Sequence, residues 1–111
     1  MTNDEISIEE SCRLAGIRAD LVADVTLYTS EQGGKATVIS GLCYGCPCEI
    51  EGAKWKWDCR IALGHLSLHP GQTRRVGIAF LSGEEAAVAI RAAGRFVLWE
   101  GRPIGEGVVV R

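Results

Sequence analysis

Four of the five cysteines, Cys43, Cys46, Cys48 and Cys59, fall in one short stretch, while Cys12 stands apart. Cysteine thiolates are common zinc ligands, and four of them close a tetrahedral structural site. Cys43 and Cys46 have Cys-x-x-Cys spacing. Cys46 and Cys48 are two apart, so on a strand they share one face, and Cys59 can lie across a hairpin from Cys48. A paired-knuckle zinc site would need a second Cys-x-x-Cys, and Cys59 has no such neighbour. Free cysteine is also a common small core residue. The expectation is therefore a mixture of core and surface thiols and no cofactor, with zinc on the four-cysteine cluster as the alternative. A redox role for Cys43 and Cys46 would require exposure and a lowered thiol pKa, and no nearby residue in the sequence is basic enough to supply the latter.

Other chemistry is thinner. His65 and His69 are four apart, but Gly64 and Pro70 flank them and no glutamate sits between them in the manner of a zinc protease helix. Neither Ser67 nor Cys59 has a convincing base, so no residue set supplies nucleophile, base and orienter together. Around Trp55 and Trp57, Lys54, Lys56 and Arg60 interleave aromatic rings with positive charge. That mixture can stack bases or anchor a partner, although two tryptophans covering the barrel core are the favoured reading.

These residues must be placed by a small scaffold. The chain has 111 residues, 47% apolar and 23% charged, which fits one globular domain with a real core. The formal net charge of −2 does not support a global grip on phosphates. No stretch reaches the roughly 18 to 20 apolar residues of a membrane span. The acidic start, Met1-Thr2-Asn3-Asp4-Glu5, lacks the apolar segment of a secretory signal, so the expected compartment is the cytoplasm.

The pattern of elements is mostly β. Ser7 and Glu10 have capping-box spacing ahead of Ile8, Cys12, Leu14 and Ala15, with Gly16 as a stop. Residues 1–19 therefore read as a short helix or tail. Leu21, Ala23, Val25 and Leu27 alternate with polar neighbours, as in a half-buried strand. Ser30 to Gly34 reads as a turn, Ala36 to Ser40 as a second strand, and Cys48 to Glu51 and Trp55 to Ile61 as a hairpin. Pro70-Gly71 marks a turn before a strand at Arg75 to Leu81. Residues 83–93 are alanine-rich and helical, with Gly94 as C-cap. Phe96 to Trp99 and Ile104 to Val110 form a last hairpin. Short strands with glycine-rich turns point to a sandwich or barrel, and a barrel removes exposed edges.

Two segments are recognisable. Gly94-Arg95-Phe96-Val97-Leu98-Trp99-Glu100-Gly101, followed by Arg102-Pro103-Ile104-Gly105-Glu106-Gly107-Val108-Val109, resembles the last hairpin of translation elongation factor Tu. Ala23-Asp24-Val25 through Glu31-Gln32-Gly33-Gly34-Lys35 resembles that family's strand and Gly-Gly loop, and Pro70-Gly71 falls where the family has its own Pro-Gly. The resemblance covers about residues 20–111 and implies a stand-alone C-terminal domain: an all-β, closed antiparallel Greek-key barrel of about six strands. The family's Gly-Tyr-Arg-Pro-Gln-Phe run is replaced by Gly41-Leu42-Cys43-Tyr44-Gly45-Cys46, and its arginine before Glu-Gly by Trp99. A P-loop is missing. Gly33-Gly34-Lys35-Ala36 lacks the first glycine and the Ser/Thr, so neither GTPase activity nor nucleotide binding is expected.

In the family this barrel contacts tRNA and packs on neighbouring domains, and Gly33, Gly34 and Lys35 match the loop in that region. Phe96 and Leu98 should point inward, which turns Val97 and Trp99 outward as a contact surface, with Arg74 and Arg75 adding charge. The expectation is thus a non-enzymatic interaction module contacting a protein partner through Trp99, Val97, Gly33, Gly34, Lys35 and Arg74. A tRNA- or RNA-contacting protein is the further alternative.

Overall fold

The computed structural model describes residues 6–53 and 55–111. The readings made of Met1–Glu5 and of Lys54 lie outside the described residues. Helix α1 (Ile8–Ala15) is capped by Ser7, whose Oγ accepts the Glu10 N–H at 3.0 Å, and ends at Gly16 in the left-handed region. Glu10 turns its carboxylate to Arg13 instead of back to Ser7, so one half of the expected capping box forms. The helix packs on the barrel strands rather than standing free.

Six strands follow: β1 (Leu21–Leu27), β2 (Cys43–Glu49), β3 (Trp57–Ala62), β4 (Thr73–Phe80), β5 (Arg95–Trp99) and β6 (Pro103–Val109). Helix α2 (Glu84–Ala93) lies between β4 and β5 and buries Ala86, Ala87 and Ile90. The strands close in the order β1-β4-β3-β2-β5-β6, every pairing antiparallel. Strands β2, β3 and β4 form a meander and β1 returns beside β4, which is a Greek key. The period-2 apolar pattern sets the registers: Leu21, Ala23, Val25 and Leu27 all face inward, meeting Ile61, Ile78, Phe96, Leu98 and Ile104 in one core. Among the described residues, no helix is long and apolar enough to cross a membrane.

Two elements differ from the sequence reading. Ala36–Ser40 is not a strand; Ile39 makes a single bridge to Leu68 within the long β1–β2 connection. Ile39 and Leu68 are buried, so the segment's apolar content closes one end of the barrel instead of joining its wall. The second strand is Cys43–Glu49, which extends the expected Cys48 start by five residues. Pro47 is compatible with it because the β2–β5 ladder begins only at Cys48.

Candidate partner-binding site

The β2–β5 ladder holds just two residue pairs, Cys48↔Leu98 and Glu49↔Val97. Arg95 and Phe96 at the start of β5 therefore have no ladder partner on β2, and the two strands part. A cleft of ≈ 470 Å³ opens there, lined among others by Tyr28, Glu49, Glu51, Arg95, Val97 and Glu106. Strand alternation turns Val97 outward between Glu49 on one side and Glu106 on the other. Arg95 Nη2 pairs with Glu106 Oε2 at 2.9 Å, and the Tyr28 hydroxyl donates to Glu106 Oε1 at 3.1 Å. Burial, then this carboxylate, pushes the Tyr28 phenol above its ordinary pKa. Arg95 on Glu106 and Lys56 at 3.6 Å from Glu49 offset two of the three carboxylates, which leaves the cleft a small negative balance at Glu51.

The tryptophans occupy places other than those expected. Trp99 lies at the edge of this face but is only partly exposed, and its Nε1 is buried without a hydrogen-bond partner. Lys56 covers it, with Nζ 4.4 Å above the ring and 3.6 Å from Glu49 Oε2. A register shift at Leu98/Trp99 interrupts the ladder there, and such bulges re-aim side chains. The freely exposed tryptophan is Trp55, 61% accessible and edge-on to the buried Trp57 at 6.1 Å. Trp55 and Trp57 do not share a strand face, because β3 begins at Trp57.

Gly33, Gly34 and Lys35 come close to the Trp99 end of β5, but their polar groups are already engaged. Thr29 and Gln32 make a complete capping box around a single 3-10 turn. The Arg102 guanidinium donates to the Gly33 and Gly34 carbonyls at 2.8 and 2.9 Å. Lys35 Nζ pairs with Glu100 Oε2 at 2.9 Å, and the Tyr44 hydroxyl donates to the same oxygen. These contacts tie the long β1–β2 connection to the β5–β6 turn.

That tie is expected to fail at both ends of the pH scale. Burial, followed by the bond to Glu100, pushes the Tyr44 phenol far above its usual range. A raised pKa adds stability that is present below about pH 10 and is lost as the pH climbs through the folded value. The Tyr44 hydroxyl and then Lys35 hold the Glu100 carboxyl below its usual range, and that contribution disappears as the pH falls through the folded value. Phenolate absorbance of the two tyrosines checks this: Tyr44 should stay protonated past pH 10 until the barrel unfolds. Ordinary titration of both rings near pH 10, with the fold retained, would remove the tie.

Arg74 is not part of the face. Its guanidinium donates to the carbonyls of Leu66 and Leu63 at 3.0 and 2.9 Å, and burial lowers its pKa. It sits on β4, separated from β5 by β3 and β2. Arg75 pairs with Asp24 across β1–β4 at 2.9 Å. His65 and His69 are exposed.

The cysteines divide by face. Cys46, Cys48 and Cys59 point inward and are buried, with Cys59 directly opposite Cys46 rather than Cys48. Cys43 is three residues from Cys46, so the strand turns it to the outer face, where Arg60 is its charged neighbour. Burial raises the Cys43 thiol pKa, and Arg60 opposes that only in part. The four thiols of the alternative zinc reading are therefore not brought together on one face. Among the described residues no three His, Cys, Asp or Glu side chains are placed to hold a metal ion.

The cleft was missed in the sequence reading, and Trp55, which that reading favoured as a core cover over a partner anchor, is exposed. A usable signal was present in Glu49-Ile50-Glu51, where two carboxylates fall on one strand face beside the outward Val97. Compared with known proteins, the chain matches no family model and no curated protein.

Proposed function

We propose that this chain is a non-catalytic interaction module that holds a protein partner at the β2–β5 cleft. The observation that carries the reading is the cleft itself, with Val97 in its wall, together with a 61% exposed Trp55 that follows the cleft-lining Gly52 by three residues. A solvated tryptophan and a hollow of mixed apolar and charged lining are components of a contact surface. The carboxylates of Glu49, Glu51 and Glu106 favour a partner surface presenting basic side chains. Likeness of the Arg95–Val109 hairpin to the C-terminal barrel of elongation factor Tu supports a scaffold of this kind and suggests a setting in translation. Engagement of Lys35 and Arg102 within the fold leaves less positive charge for RNA at the loop where the family contacts tRNA.

The test is affinity capture with the wild-type chain, Trp55→Ala, Val97→Lys and a control, Leu81→Ser, at another exposed apolar position. A captured protein is identified, purified and re-measured directly, with nuclease treatment and a salt titration. The expected result is binding lost with Trp55→Ala and Val97→Lys, kept with Leu81→Ser, and insensitive to nuclease. Equal binding by all four chains would move the contact elsewhere, and nuclease-sensitive capture would replace the protein partner with RNA.

A further inference from the structure

The three inward thiols play no part in the cleft, yet they are packed against one another. Cys46 on β2 is the direct cross-strand partner of Cys59 on β3, and Cys48 is opposite Trp57. Strand alternation sets Cys46, Cys48 and Cys59 on the same inner face of the β2–β3 pair, where all three are buried. Directly opposed residues of an antiparallel pair have Cα atoms about 4.5–5.5 Å apart, inside the roughly 4.4–6.8 Å spanned by disulfides. Cys48 reaches Cys59 along the diagonal, where Cα separations are about 7–8 Å, beyond that range. Register thus selects Cys46 over Cys48 as the partner of Cys59.

Access selects the same pair. Cys46 is 7% exposed, whereas Cys48 and Cys59 are 0% and 1%. A surface hollow of ≈ 320 Å³ opens over this part of the β2–β3 ladder, lined by Gly45, Pro47, Asp58, Arg60 and Leu81 together with Cys46 and Cys59. Gly45 brings no side chain to the hollow, so its floor reaches the strand backbone next to Cys46.

We propose that Cys46 and Cys59 form a modification site, where hydrogen peroxide converts the two thiols into a disulfide inside the barrel. In the first step the Cys46 sulfur attacks a peroxide oxygen. The O–O bond breaks, Cys46 becomes a sulfenic acid and one water leaves. In the second step Cys59 sulfur attacks the Cys46 sulfur. The S–O bond breaks, and the hydroxide departs with the Cys59 proton as a second water. Two thiols and one peroxide give one disulfide and two waters. The order follows from access: Cys46 is the more exposed of the two, so it is the sulfur that meets the peroxide first. Cys43 on the outer face and Cys12 on α1 have no facing thiol.

The experiment treats the folded wild-type chain with hydrogen peroxide and follows its mass, then digests it without reduction. Fragmentation of the linked peptides locates both sulfurs. The expected product is a monomer lacking two hydrogens, with Cys46 joined to Cys59 and both hydrogens restored by a thiol reductant. Cys48→Ser should still form it and Cys46→Ser should not. A linkage to Cys48 or Cys43, or oxidation that leaves no intrachain linkage in the wild-type chain, overturns the assignment whether or not the variants fold.

Discussion

Replacing Gly107 with alanine is expected to destabilise the barrel by about 3 kcal/mol, at the upper end of what overpacking does in well-packed cores. Gly107 faces Phe96 directly across the β5–β6 ladder. A Cβ built on Gly107 would lie 2.2 Å from Phe96 Cζ and 2.6 and 2.7 Å from its two Cε atoms. Phe96 is 2% exposed and packed in the core, so the ring can move aside only by giving up core contacts. Aromatic rings laid over glycine across a pair of strands help to pin register, and here the ring is also part of the buried core. Urea unfolding checks the size of the effect. The cause is checked by pairing Gly107→Ala with Phe96→Leu: the smaller side chain should relieve part of the clash, giving a coupling of about 1 kcal/mol or more. Strictly additive losses would mean that the ring is not what excludes the methyl group.

The second large effect is expected at Gly34, and it separates two glycines that the sequence presents as one motif. Gly33 has φ +88° and open space around it. Alanine there meets only backbone strain, about 1–2 kcal/mol. Gly34 carries no such φ, but its Cβ would lie 2.4 Å from the Tyr28 carbonyl oxygen and 2.8 Å from the Tyr28 carbonyl carbon. Backbone cannot swing aside as a flexible side chain does. Gly34→Ala should therefore cost more than Gly33→Ala, about 3 kcal/mol, and should push the loop away from the β5–β6 turn. The accompanying sign is local: Arg102 loses its carbonyl acceptors, and Tyr44 loses part of its tie to Glu100, so its phenol titrates earlier than in the wild-type chain. Equal losses at the two glycines would show that close approach is not what the second one provides.

Legibility in the sequence followed how far each element obeyed one period. Strand β1 was readable because Leu21, Ala23, Val25 and Leu27 alternate without interruption, and α2 because alanine and glycine bracket it cleanly. The last hairpin was readable from its alternation and its turn. Strand β2 was not, since Gly45 and Pro47 are poor strand formers and tertiary pairing with β3 overrides them. Ala36–Ser40 misled for the opposite reason: good strand formers around Ile39 serve an end cap with one bridge. Within the candidate site, Val97 was placed correctly by alternation, whereas Trp99 was not. A register shift and the stem of Lys56 change its exposure, and neither is written in local sequence. Arg74 was misjudged because carbonyls of a loop eight and eleven residues earlier claim its guanidinium.

Strand β1 has β4 for one neighbour and β6 for the other, so that Ala23 is joined both to Val76 and to Val109. The first strand made is thus completed by the last. During synthesis it emerges with two open edges, gains one partner when the fourth strand appears, and waits for the sixth before its second edge is covered. Contacts spanning so much of the chain make folding slow relative to proteins with local pairings, and the open edges are exposed to other chains in the meantime. The charged pair of Asp24 with Arg75 on the outer face of that strand places ionic groups where an unpaired β1 would otherwise offer a flat apolar template to its neighbours.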